Sequence, residues 1–216
     1  MTSKRNLLTH MLLIAILSAL AYVVMFFVHF NIVPGVNFLT YDPKDVVIII
    51  GGFILGPLAS FIISVLVCLA EMFTISGTGW IGMLMNLISS ASLACTASYI
   101  YKKKHTMAGA ITGLACGGLL TTLMMVLWNY IIGLPRSLVA SMLLPVFVPF
   151  NLLKGVLNAS LTLLIYKPLM TTLRKSRLFP ETESSDGKKH RVNFGLLFAS
   201  LFLLITCIII IFIWNS

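Results

Sequence analysis

The chain has 216 residues, 59% of them hydrophobic and 10% charged, with a mean hydropathy of +1.03. Soluble domains carry about 25% charged and 45–50% apolar residues, so a water-soluble protein is excluded and the lipid bilayer is the solvent to reason with. The net charge of +9 comes from 15 Lys+Arg against 6 Asp+Glu. These bases flank apolar runs, where they orient a membrane protein, and they do not point to nucleic acid. The expected class is all-α integral membrane, since helices satisfy their own backbone in lipid; at about 20 residues per span there is room for six or seven.

The first span is predicted over residues 9–30, behind Lys4 and Arg5. Ala19-Leu20-Ala21 has the form of a signal-peptide cleavage site, but the apolar run continues through Tyr22 to Val28, so an uncut span is expected. Ala15 and Ala19 make a small face suited to helix packing or to docking a partner. The loop Asn37-Phe38-Leu39-Thr40-Tyr41-Asp42 offers apolar surface, hydroxyls and backbone donors. Asp42 before Pro43 suits a helix N-cap with Pro at N1. Residues 46–76 are almost unbroken apolar sequence, long for one upright span and short for two. Gly51-Gly52 and Gly56-Pro57 punctuate the run, and either two short helices turning near Gly56-Pro57 or a re-entrant loop buried against protein is expected.

Further spans are predicted at 80–101, 106–134, 142–170 and 194–214, the last 21 residues without a charge and expected as a plain lipid-facing helix. Gly109, Gly113 and Gly117 give a flat face for close helix approach. Charge orients the set. With Lys4, Arg5, Lys102-Lys103-Lys104 and the bases from Lys167 to Arg191 on the cytoplasmic side, 12 of the 15 Lys+Arg lie inside. Lys44 and Arg136 then lie outside and Lys154 at membrane depth, with the N-terminus cytoplasmic and the C-terminus extracellular. The domain reading is a bundle over 1–170, a basic cytoplasmic linker over 171–193 whose Glu181-to-His190 stretch is solvated, and an extra helix over 194–216.

Polar groups at membrane depth carry the functional argument, because each costs roughly 2.5–3.5 kcal/mol when ionised even on the mildest scale. Asn151, Lys154 and Asn158 follow i, i+3 and i+7 and share one helix face, which must turn inward. They either satisfy one another or line a site for a polar solute. Asn129 stands between Trp128 and Tyr130, whose rings suit an interface. Glu71 either pairs with Lys154 or sits near the outer interface. Aromatic walls, a few amides and one ammonium suit a heteroaromatic ligand of little or no charge. No GxxxxGK[ST], HExxH or GxSxG motif occurs, so ATP hydrolysis by a phosphate loop and two common hydrolase chemistries are not encoded. The four cysteines lie in apolar runs without CxxC spacing and the four histidines are scattered; neither metal nor disulfide is expected. From other classes there remain an intramembrane enzyme built on Glu71 and Lys154, or a structural membrane protein with a polar clamp.

Four segments then carry a family resemblance: Leu39-Thr40-Tyr41-Asp42-Pro43-Lys44-Asp45-Val46, Gly56-Pro57-Leu58-Ala59, Asn129-Tyr130-Ile131-Ile132-Gly133-Leu134-Pro135, and Pro149-Phe150-Asn151-Leu152-Leu153-Lys154-Gly155. Over about residues 7–170 the chain resembles the riboflavin-specific S components of energy-coupling factor (ECF) vitamin transporters. The resemblance implies a six-helix bundle, here with one additional C-terminal helix, that binds riboflavin near the extracellular face of the plasma membrane. Asn129, Asn151 and Lys154 match positions that contact the flavin, and Leu39 and Thr40 match the capping loop. Ala15 and Ala19 match the face that docks a membrane-embedded coupling subunit, while two cytosolic ATPases supply energy. Riboflavin is then a transported ligand, with no cofactor and no catalysis. Related members take other vitamins such as folate, pantothenate or thiamine. After Gly56-Pro57-Leu58-Ala59 the riboflavin-type pattern carries a Glu and then a Lys-Asn pair, where this chain has Ser64, Val67 and Cys68.

Overall fold

In the computed structural model the described residues are 2–33, 39–75, 77, 79–131, 136–175 and 194–215. Helices α1 (Thr2–Phe27), α2 (Lys44–Leu55), α3 (Pro57–Thr74), α4 (Gly79–Lys104), α5 (Met107–Ile131), α6 (Arg136–Met142), α7 (Val148–Lys175) and α8 (Phe194–Asn215) account for nearly all of them. Among the described residues, five stretches are long and apolar enough to cross a membrane: 7–27, 57–74, 79–104, 107–131 and 140–166.

Register contacts show how the helices stack. Leu17 and Met25 of α1 lie beside Gly51 and Lys44 of α2, so this pair is antiparallel. Ser60 and Glu71 of α3 meet Cys95 and Asn86 of α4, again antiparallel. Gly113, Gly117 and Thr121 of α5 face Ala97, Leu93 and Ser89 of α4. Asp45 and Phe53 of α2 meet Asn158 and Tyr166 of α7. Hence α2, α4 and α7 run one way and α1, α3 and α5 the other, with α2 in the middle. Ile48, Ile49, Ile63, Ala94, Ala97 and Ala110 are completely or almost completely buried around it.

Lipid is as apolar as this core, so close packing of small residues has to draw the helices together. A Cβ at Gly113 or Gly117 would lie 2.7 Å from the carbonyl oxygen of Ala97 or Leu93. The glycine face is therefore the contact surface of α5 on α4, as its spacing predicts. The turn at Gly56-Pro57 is also where the sequence places it. Gly56 has φ +98°, a left-handed value that favours glycine, and Pro57 opens α3, where its missing N–H costs nothing.

Three features differ from the sequence expectations. A two-stranded antiparallel hairpin, β1 (Phe30–Asn31) and β2 (Thr40–Tyr41), lies between α1 and α2. The span beginning near 142 starts earlier, at α6, and passes through a π-helical turn at Leu143–Phe147 before α7. Pro145 and Pro149 lack the N–H groups a regular ladder needs there. Finally, α8 is more than a lipid-facing rod. Ser200 and Cys207 are buried and Leu204 and Ile211 half-buried on one seam, while Phe198, Phe202, Ile209 and Phe212 stay exposed. The seam packs on α7, and Cys207 joins an apolar cluster with Leu39 and Tyr41 of the hairpin segment and Phe147, Phe150 and Leu153. Helix α7 continues to Lys175. Residues 176–193 of the linker, Asn37-Phe38 of the loop and Ile132 to Pro135 lie outside the described residues.

Candidate functional site

The start of α2, the end of α3, the start of α4 and the first half of α7 bring polar side chains together at the end of the bundle opposite Lys102-Lys103-Lys104. Lys44 is completely buried. Its Nζ donates to Glu71 Oε2 at 2.8 Å and to Asp42 Oδ2 at 3.3 Å. Glu71 Oε1 also accepts from Asn86 Nδ2 at 2.7 Å. Asp45, buried as well, accepts from Ser90 Oγ at 2.5 Å and from Asn158 Nδ2 at 3.2 Å. Tyr41 donates its hydroxyl to Asn158 Oδ1 at 3.1 Å, which ties β2 to α7. Lys154 places Nζ 3.7 Å from both Asp42 and Asp45.

Burial by itself would raise the Asp42 pKa. The charges of Lys44 and Lys154 and two hydrogen bonds from Lys44 outweigh it and hold the carboxyl below the ordinary carboxylate value. Tyr41 moves upward, first through burial and then through Asp45 and Asp42, and keeps its proton to donate.

Several expectations need correction. Lys44 is not a base in the outer solution; it is a core ion, neutralised by Asp42 and Glu71. Glu71 does not pair with Lys154; its partners are Lys44 and Asn86, which removes the acid–base pair on which an intramembrane enzyme was conceived. The boundary of α2 falls one residue later than expected, while Asp42 makes the side-chain bond expected of a cap. Pro43 occupies the N-cap position, and Asp42 Oδ1 accepts the backbone N–H of Lys44 at 3.3 Å. Ser64, Val67 and Cys68 are buried, and close by, an acid, an ammonium and an amide converge from Glu71, Lys44 and Asn86.

The stripe Asn151, Lys154, Asn158 faces inward as predicted, with 5%, 7% and 0% exposure. Its members do different work. Asn158 is spent on Asp45 and Tyr41. Asn151 Nδ2 donates to the Phe147 carbonyl of the π turn at 2.8 Å, leaving its Oδ1 with no donor among the described residues. Lys154 has ionic partners but lies beyond hydrogen-bond distance of both. Asn129 is 8% exposed and has no hydrogen-bond partner among the described residues. It is not gathered against the other two. Gly118 and Gly155 touch, so in antiparallel helices Asn129 stands about 10 Å nearer the end of α5 than the level of Asn151. Leu39 is buried in the apolar cluster and Thr40 is half-buried in β2. Ala15 and Ala19 are exposed on α1, away from this cluster.

Hydropathy and charge left Asp45 and Asn86 unassigned and placed Lys44 outside. Asp45 stands one residue before a long charge-free run, and Asn86 inside a span; both were visible as polar groups too deep to be solvated.

A family profile described as "ECF transporter, substrate-specific component" matches residues 9–166, well over half of the chain. The chain belongs to this family. The S component is 28% identical to the riboflavin transporter RibU of Staphylococcus aureus (strain TCH60), covering 81% of this chain and 95% of that one. It is 30% identical to RibU of Streptococcus thermophilus (strain ATCC BAA-250 / LMG 18311), over 75% of this chain and 83% of the relative. It also superposes with a TM-score of 0.68 and 30% identity on a solved chain described as "Structure and mechanism of the S component of a bacterial ECF transporter", covering 76% of this chain and 97% of that one. The matched profile ends before α8, so the seam of α8 on α7 lies outside the matched residues.

Proposed function

We propose that this S component binds riboflavin from the extracellular side and hands it to a membrane-embedded coupling subunit driven by two cytosolic ATPases, with no covalent chemistry of its own. The observation that carries the reading is Lys154: an ammonium buried at membrane depth, ion-paired, and donating no hydrogen bond among the described residues. With Asn151 Oδ1, and with the Asn129 amide about 10 Å further along the bundle, it supplies donors and an acceptor for a polar ligand. The flavin ring has the matching chemistry, a flat aromatic body with carbonyl and ring-nitrogen acceptors and one imide N–H. The relatives named as riboflavin transporters support this choice over folate, pantothenate or thiamine. Leu39 and Thr40 would cap the ligand, and the exposed Ala15 and Ala19 would face the coupling subunit.

Orientation follows from charge. With Lys44 now counted in the core, the described bases of α1, α4 and the end of α7 lie on the Lys102 side and Arg136 on the other, which makes the polar cluster extracellular. The test is direct. The purified protein should quench riboflavin fluorescence at one equivalent, and unlabelled folate, pantothenate and thiamine should fail to compete. Quenching relieved by one of these vitamins would reassign the ligand, and no quenching would defeat the reading.

A further inference from the structure

Of the three acids in the cluster, Asp42 and Glu71 are both engaged by Lys44. Asp45 acts on that ammonium only through its charge and makes no ion pair with it among the described residues, whereas it does pair with Lys154 at 3.7 Å. Its carboxylate is fixed from two further helices, by Ser90 of α4 at 2.5 Å and by Asn158 of α7 at 3.2 Å. Those bonds orient the group without neutralising it.

We propose that Asp45 is a positioning residue for substrate binding: a buried charge, clamped by Ser90 and Asn158, that holds the Lys154 ammonium off hydrogen-bond contact so that its three N–H donors stay directed at the ligand. The inference rests on the reading of Lys154 as a ligand-binding group. A free lysine side chain carries rotamer entropy that must be lost on binding unless it is lost beforehand. Two carboxylates at equal 3.7 Å distances confine the ammonium between them. Without the charge on Asp45, Lys154 would move onto Asp42 alone and spend its donors there. A purely structural role also exists, since an acid in the first turn of a helix favours the helix, and the experiment separates the two.

Asp45→Asn and Lys154→Met are made singly and together in the full chain, and riboflavin dissociation constants are read by fluorescence quenching, with thermal unfolding in parallel. Asp45→Asn should weaken binding about tenfold on its own, within the coupling range of residues sharing a network. In the Lys154→Met background it should change binding less than about twofold. Equal losses in both backgrounds, or unaltered binding by Asp45→Asn, overturn the proposal. Ser90→Ala removes only one of the two clamps; if Asp45→Asn does not fold, it should show the same background-dependent loss, and an additive effect overturns the proposal equally. Failure of the unaltered protein to quench riboflavin fells the substrate reading and this inference with it. Quenching with an additive cycle fells this inference alone.

Discussion

Lys44 and Lys154 share the residue type, the depth and a common neighbour in Asp42, yet the geometry gives them opposite uses. Lys44 is spent on hydrogen bonds at 2.8 and 3.3 Å, so it is structural. Lys44→Met strands two carboxylates in the core and should cost about 3–5 kcal/mol, read as a lowered unfolding temperature, with Lys44→Met/Glu71→Gln recovering part of the loss. Lys154→Ala and Asn151→Ala should instead weaken riboflavin binding by about tenfold or more while the yield of folded protein holds. Asp42 sets the pH response. Its folded pKa is depressed, so its stabilising effect is complete above the ordinary value near about 3.9 and is lost as pH falls through the lower folded value. The unfolding temperature should therefore respond to Asp42 only below about pH 4, and Asp42→Asn should flatten that acid limb. The inward stripe on α7 was legible because burial cost and helical spacing are local properties. The pairings of Glu71 with Lys44 and Asn86 were not, since each joins residues from different helices and hydropathy says nothing of which helices touch.

At the scale of elements, the sequence announces what punctuation can announce. Gly56-Pro57 marks the α2–α3 turn, and the glycine ladder marks the α4–α5 contact. Gly113→Leu should therefore prevent accumulation of folded protein by driving a side chain into the Ala97 carbonyl, 2.7 Å from the nearest Cβ position, as an expression trial in membranes would read. The hairpin is too short for a periodicity signal; its strands have two residues each. The π turn depends on where two prolines fall within a helix whose start the sequence placed too late. That turn presents the Phe147 carbonyl to the Asn151 amide and so selects which end of the amide remains for a ligand.

For the whole molecule, the two flanks are treated unequally. Only 11% of the α1 window is buried, against 33–39% for the other four spans, and Ala15 and Ala19 lie on its open side. On the far flank α8 lies along α7, with an apolar cavity of about 330 Å³ between Leu152, Leu153, Val156 and Leu203, Cys207, Ile210. Ala15→Trp or Ala19→Trp should leave riboflavin quenching by the isolated protein unchanged and abolish co-purification with the coupling subunit. A loss of quenching instead would place α1 in the ligand site.

The shortness of α2 sets a length scale for that site. Its 12 residues measure about 18 Å, while hydrocarbon is about 30 Å deep. Its Gly56 end sits beside Lys102, so the helix stops about 12 Å short of the opposite boundary. Non-helical chain must roof that gap, and the hairpin, with strands that satisfy each other's backbone, is suited to do so. The depth of the polar cluster is thus written as a residue count: one more helical turn ahead of Lys44 would raise it by about 5.4 Å.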